Sequence, residues 1–325
     1  MAIRTVSIIG LGAEGSVAYC AARKTLPFEN VRIIAKGERA KRLKENGIII
    51  NGEHYKLNVK EPGEVGTPPD LLIVAVKIYS LDGAMCDILA EVGENTSVIS
   101  MINGLSSENL IAKRLECGHV IYSMSKVNSK KSGNSVNFKP VGHIVIGEKD
   151  GSVNSRLMDI RNLFSHIVTS EISRDIHFEI WKKYMMNSAC NTVEAIFRGQ
   201  HSWFQKIPEA RDAMRCIMTE IMLLANKLGV PIKADDIEEI ISLFDSYAPD
   251  GMCSMVQDVL AKRPTEIEMF MGDALKMGKE NGVELPAVGR QMGDILPVKN
   301  HLAALIEDLG HAHFFADDCF LHLHV

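Results

Sequence analysis

A chain of 325 residues is long enough for two domains with separate cores, and its 46% hydrophobic and 24% charged residues are ordinary for a globular protein. A formal charge of −5 offers little to nucleic acid or to an anionic membrane, and no run approaches the roughly 18 apolar residues of a membrane span. The seven cysteines, at 20, 86, 117, 190, 216, 253 and 319, contain no CxxC pair; they read as buried thiols in a reducing cytoplasm, not as a disulfide frame or zinc knuckle.

The chain opens on a β-branched run, Thr5–Ile9, read as a strand and not as a secretory signal. Gly10-Leu11-Gly12-Ala13-Glu14-Gly15 follows, and then an alanine-rich helical run from Ser16 to Lys24. Strand, glycine turn and helix in this order make a dinucleotide site. The first glycine permits the tight turn, the second lets the backbone approach a pyrophosphate, and the third lets helix and strand pack closely. The helix start then aims its N–H groups at the phosphates. Further strands are expected at Val31–Ala35, Ile48–Ile50, Leu71–Val76, Ser97–Ser100 and His119–Ser123, with crossover helices at 38–46, 80–92 and 106–116. Leu71-Leu72-Ile73-Val74-Ala75-Val76 is apolar on both faces, as a central parallel strand requires. The pattern is that of a doubly wound α/β sheet. Residues 128–150, rich in Ser, Lys, Asn and Gly, suggest a hairpin of strands near 135–139 and 143–147 on the sheet edge.

The residue that reads the ribose should follow the second strand. An acid there suits the 2′-hydroxyl of NAD, and a cation suits the 2′-phosphate of NADP. Lys36 stands there, with Arg39 close behind and Glu38 two residues late, which favours NADP(H) unless both cations are simply solvated. Lys77 and Asn103 lie past the ends of two other strands, on the side where open α/β sheets bind ligands; each is also an ordinary loop residue in such a place.

From about Asp175 strand candidates give way to helices, at 175–196, 202–228, 233–246, 251–262 and 264–281. The boundary is placed near 172: residues 1–172 form the NADP(H)-binding domain and 173–325 an all-helical substrate domain, with a cleft between them for the substrate. Lys183, Asn187 and Asn191 are spaced four apart and share one helix face amid apolar neighbours. One amine and two amides are costly to bury without partners, which a substrate with oxygen groups would supply; a solvent-facing stripe is the alternative. Ser254 and Asp258 share a later helix face. Glu266, two residues after Pro264, falls near the start of the next helix, where its charge suits the helix dipole without any catalytic role.

Together these pieces resemble the ketopantoate reductase (2-dehydropantoate 2-reductase) family. The matching segments are Gly10 to Gly15, Val76-Lys77, Asn103-Gly104, Trp181-Lys182-Lys183 with Asn187 and Asn191, Ser254-Met255-Val256-Gln257-Asp258, and Arg263-Pro264-Thr265-Glu266-Ile267-Glu268. They occur in family order and spacing from about residue 4 to 306. The resemblance implies a Rossmann-type N-terminal domain and a helical C-terminal domain. It also implies NADPH-dependent reduction of 2-ketopantoate to pantoate, on the route to pantothenate and coenzyme A. It makes Lys183 the acid that protonates the keto oxygen as hydride reaches the same carbon, and Glu266 the acid that positions lysine and substrate. Asn187, Asn191 and Ser254 would bind substrate, while Lys77 and Asn103 would lie near the nicotinamide, with Asn103 also contacting substrate. The implied partner is a small 2-oxo acid, with neither nucleic acid, membrane nor metal, and a homodimer is left open.

The chain departs from the family in three places. The usual Asn-Pro-x-Thr-Ala is here Asn191-Thr192-Val193-Glu194-Ala195. A glycine-rich segment is replaced by Tyr122-Ser123-Met124-Ser125-Lys126-Val127-Asn128, so a paralogous reductase of another small 2-oxo acid is the first alternative. The second alternative is a nucleotide-sensing protein without turnover, against which Lys183 and Glu266 argue. Leu285-Pro286-Ala287-Val288 has a second copy at Leu296-Pro297-Val298, and the tail carries His311-Ala312-His313 and His322-Leu323-His324. Paired histidines can bind metal, but without a fixed partner spacing these read as tail.

Overall fold

The computed structural model describes residues 3–116 and 118–290. The second Leu-Pro turn and both histidine pairs lie outside the described residues. The chain divides into two compact units, one ending at Ile180 and the other beginning at Trp181.

The first unit is built on strands β1 (Val6–Ile9), β2 (Val31–Ile34), β3 (Ile48–Ile50), β4 (Glu53–Tyr55), β5 (Asn58–Lys60), β6 (Leu71–Val74), β7 (Ser97–Ser100), β8 (His119–Ser132), β9 (Ser135–Gly147) and β10 (Thr169–Ile172). Their order is β4-β3-β9-β8-β7-β6-β1-β2-β5, with β10 against β9. From β8 to β5 every neighbour is parallel, with Val6 opposite both Val31 and Leu71. All these strands therefore end on one edge of the sheet.

Alternation along the strands sets two cores. Ile8, Ile33, Ile73 and Ile99 face one side, where they meet Val17 and Ala21 of helix α1 (Ala13–Thr25) and Ile160 and Phe164 of α5 (Ser155–Ser165). Ile9, Ile34, Leu72 and Val98 face the other, against Met85 and Ile88 of α3 (Leu81–Glu91) and Ile111 of α4 (Ser107–Ala112). Helix α2 (Gly37–Asn46) buries Ala40 and Leu43 and leads into β3. A strand covered on both faces has to be apolar on both, which is why Leu71–Val74 is.

The expected hairpin within 135–147 is corrected. Those residues form one strand, whose antiparallel partner is β8, and the turn between them is Gly133-Asn134. Gly142 is a point of close approach within β9. Its φ is +147°, and a Cβ there would stand 2.5 Å from the carbonyl oxygen of Lys126. β4, β5 and β10 are short strands that bury few apolar side chains, so little periodicity marks them in the sequence. Helix α6 (Ile176–Met186) begins in this unit, with Ile176 and Ile180 packed on Tyr122, Met124 and Val145.

The second unit is helical. After α6 comes a wide π turn, Asn187–Asn191, and then α7 (Thr192–Phe197), α8 (His201–Lys206), α9 (Pro208–Lys227), α10 (Ala234–Asp245) and α11 (Ser254–Leu260). A second π turn, Glu268–Gly272, leads into α12 (Asp273–Asn281). The expected helix 202–228 is interrupted at Ile207, because Pro208 has no N–H to continue α8 and instead starts α9. Met214, Ile217, Met218, Ile221 and Leu224 form the buried stripe of α9. No helix among the described residues is long and apolar enough to cross a membrane.

Candidate functional site

Three glycines shape the turn after β1, for different reasons. Gly10 has φ +99°, and a Cβ there would lie 2.6 Å from the backbone of Ala75. Gly15 would place a Cβ 2.1 Å from the Gly10 carbonyl oxygen, where α1 crosses the strand end. Both positions are closed by the protein's own backbone. Gly12 is not: its φ is −94°, and the nearest atom to a Cβ would be the Ala75 oxygen at 3.9 Å. Nothing in the fold demands a glycine there, so a ligand backing onto the turn is what its bareness suits. Gly12 also starts α1 without a side-chain cap. The first-turn N–H groups of Ala13, Glu14 and Gly15 have no partner carbonyl within the helix. A space above the second glycine and a ring of N–H donors together fit a diphosphate. Leu11, between the glycines, is buried and anchors the turn in the core.

Glu14 sits in that first turn, and its carboxylate accepts hydrogen bonds from Ser125 Oγ at 2.7 Å and Ser129 Oγ at 3.1 Å, both on β8. Sequence reasoning missed these two serines. Ser125 belongs to the segment that departs from the family pattern and Ser129 lies just beyond its end, and together they fasten that part of β8 to the glycine turn.

The parallel sheet brings the other candidates of this unit to the same edge. Lys36 follows β2, Lys77 follows β6, and Asn103 follows β7, with Gly104 at φ +101° turning the chain behind it. Lys77 and Asn103 are half-buried. The Lys36 side chain is 59% exposed, and its Nζ meets Asp87 Oδ1 of α3 at 2.7 Å. This hydrogen bond, reinforced by the carboxylate's charge, raises the Lys36 pKa. Arg39 is exposed on α2, and no acidic group among the described residues forms an ion pair with it.

In the second unit Lys183 and Asn187 are half-buried and Asn191 is 7% exposed, so the three do not form a solvent stripe. The π turn at 187–191 carries both asparagines; such wide turns occur often at functional sites. Tyr184, next to Lys183, is buried, and its hydroxyl lies 3.2 Å from the carbonyl oxygen of Met269 and 2.5 Å from that of Phe270. The Phe270 N–H in turn donates to the Glu266 carbonyl at 3.1 Å. The backbone that begins at Glu266 is thereby fastened to the helix of Lys183. Glu266 is 5% exposed and precedes the helical turn, with Pro264 outside it. Burial drives the Tyr184 phenol far above its ordinary range, so it remains a donor. Ser254, exposed, is the first residue of α11, and Cys253 before it donates its S–H to the Asn191 carbonyl at 3.6 Å. Asp258 on the same helix accepts from Arg263 Nε at 2.8 Å. Within this unit the backbone thus gathers the helix of Lys183, Asn187 and Asn191 with the segments that begin at Ser254 and Glu266.

A family model described as ketopantoate reductase PanE/ApbA matches residues 6–151, and the model of its C-terminal part matches residues 175–292. A 2-dehydropantoate 2-reductase of Aquifex aeolicus is 27% identical over 86% of this chain and 92% of its own. One of Archaeoglobus fulgidus is 28% identical over 90% and 96%. Among solved structures, D-mandelate dehydrogenase with NADH and anilino(oxo)acetate aligns with a TM-score of 0.82 at 22% identity, over 92% of this chain and 99% of its own. The 2-dehydropantoate 2-reductase of Geobacter metallireducens GS-15 aligns with a TM-score of 0.80 at 22% identity, over 90% and 99%. At that identity the two structures share the fold.

Proposed function

The chain belongs to the ketopantoate reductase family, oxidoreductases of small keto acids, and we propose that it reduces 2-ketopantoate to pantoate with NADPH. The observation that carries this reading is the half-buried to buried row Lys183, Asn187 and Asn191, tied through Cys253 to the start of the helix that bears Ser254. One cation, two amides and a hydroxyl match a substrate that offers a keto oxygen, a carboxylate and a hydroxyl.

NADPH bound at the glycine turn supplies the hydride. Gly12 would give its diphosphate room, the first-turn N–H groups of α1 would hold it, and Lys77 and Asn103 would lie on the nicotinamide side. Lys183 polarises the keto oxygen and gives it a proton as the carbon gains the hydride, so the product is a neutral alcohol and the lysine is left as an amine to be reprotonated by water. Glu266 keeps the ammonium and the substrate aligned. Asn187, Asn191 and Ser254 hold the carboxylate and hydroxyl, which fixes the face of the carbonyl that meets the hydride.

Lys36 and Arg39 favour the 2′-phosphate of NADPH. The engagement of Lys36 with Asp87 and the refastened segment at Ser125 and Ser129 favour a second reading, an NADH-using reductase of a different 2-oxo acid. Oxidation of NADPH and of NADH across a panel of 2-oxo acids tests both. Highest kcat/KM for 2-ketopantoate with NADPH is the expected outcome. Preference for another acid supports the second reading, and tight cofactor binding without turnover would mark a sensor.

A further inference from the structure

We propose that Glu194 and His201 form a positioning pair that holds Ser254 against the helical segment carrying Asn187 and Asn191; the inference rests on the reading of these three residues as substrate-binding. Glu194 lies one turn beyond Asn191, where the family pattern quoted above has Thr, and its side chain is 0% exposed. A carboxylate removed from water is costly unless its oxygens are bonded. Both are: Oε1 to His201 Nδ1 at 2.5 Å, and Oε2 to the backbone N–H of Cys253 at 2.9 Å. The two partners come from distant stretches of chain. His201 opens α8, and Cys253 immediately precedes α11, whose start has no side-chain cap of its own.

Other bonds make the same clamp. The His201 N–H donates to the Gly251 carbonyl at 2.9 Å, and the Ser202 N–H to that of Pro249 at 2.9 Å. The imidazole packs on Phe244 and Tyr247, with ring centroids 5.2 and 5.5 Å away. A Cβ on Gly251 would lie 2.5 Å from the His201 ring, so the loop approaches as closely as its backbone allows. Residues 249–253 are thus gripped by His201 on one side and Glu194 at the end, and the next residue is Ser254. Burial, with the charge of Glu194, holds the Cys253 thiol well above its ordinary range, so it stays an S–H donor to Asn191.

The test uses the full chain and the variants Glu194→Ala, Glu194→Gln and His201→Ala. A lost buried hydrogen bond should raise KM for 2-ketopantoate roughly tenfold in both alanine variants, with kcat within about threefold and the Kd of NADPH within about twofold of wild type, as a positioning role requires. Glu194→Gln should restore KM to within about threefold, because its amide oxygen can accept from Cys253 and its amide nitrogen can donate to a neutral Nδ1. An unchanged KM in a folded alanine variant overturns the proposal, as does a fall in kcat at constant KM or a glutamine variant as impaired as alanine. If Glu194→Ala does not fold, His201→Ala carries the comparison. Amide exchange at Cys253 needs no substrate. Its protection should drop at least about tenfold in Glu194→Ala and persist in Glu194→Gln, whether or not 2-ketopantoate is the substrate, so the failure of that reading is seen separately.

Discussion

Alanine placed at each glycine of the turn after β1 should separate folding from cofactor binding. At Gly10 the new Cβ meets the Ala75 backbone at 2.6 Å with φ at +99°, and at Gly15 it meets the Gly10 oxygen at 2.1 Å. No side-chain rotation relieves either contact. Left-handed strain of about 1–2 kcal/mol at Gly10 and overpacking of about 1–3 kcal/mol at both sites should lower stability by several kcal/mol in all. Gly12→Ala is the opposite case, since its nearest contact is 3.9 Å and φ is −94°. Stability should move by less than about 1 kcal/mol, as for other glycine-to-alanine changes at a permissive backbone. The methyl group would instead hold the diphosphate off the N–H groups of α1. Two lost hydrogen bonds to a charged ligand, at about 1.5 kcal/mol or more each, weaken NADPH binding at least roughly 100-fold. Thermal melting reads the first quantity and fluorescence titration with NADPH the second. A Gly12→Ala protein that binds NADPH within threefold of wild type, or that melts as early as Gly10→Ala, would refute the assignment of the turn.

Other outcomes follow from the same geometry. Lys183→Ala should lower kcat by about 100-fold or more, the usual scale of a lost general acid, while NADPH still binds; normal turnover would remove Lys183 as the acid. Lys36→Asp should move cofactor preference toward NADH, and Asp87→Asn, which releases the ammonium, should move it a few-fold toward NADPH; an unchanged NADPH/NADH ratio in both takes Lys36 out of the ribose site. Burial opposes ionisation of Asp236, but the hydrogen bond from Lys182 at 2.9 Å outweighs it with help from the Lys233 N–H, holding the carboxyl below its ordinary value of 3.8. The unfolded chain therefore takes up this proton first, and the stabilisation is present above about pH 4 and lost as pH falls through the folded pKa. Urea denaturation should show the advantage of wild type over Lys182→Met shrinking as pH falls below that point, and a constant difference would contradict the linkage.

Positions in the fold that depend only on neighbouring residues were legible in the sequence. The glycine turn, the two-faced apolar strand Leu71–Val74 and the edge positions of Lys77 and Asn103 all follow from strand and turn chemistry within a few residues. The hairpin expected within 135–147 is instead one strand, because the polar composition of 128–150 does not reveal that Gly142 is a close backbone contact with Lys126 of β8. The π turn at 187–191 left no signal, since the same four-residue spacing serves an ordinary helix. Lys36 with Asp87, and Glu194 with Cys253, join residues 51 and 59 positions apart. Such partners emerge only when the sheet and the helices assemble.

In the proposed reaction a hydride leaves a nicotinamide for the keto carbon of a 2-oxo acid. NADPH carrying deuterium at both C4 positions of its nicotinamide ring, incubated with 2-ketopantoate and the wild-type protein, should give pantoate carrying one deuterium at C2 by mass spectrometry. Oxidised cofactor without labelled pantoate, or label at any other carbon, would contradict it.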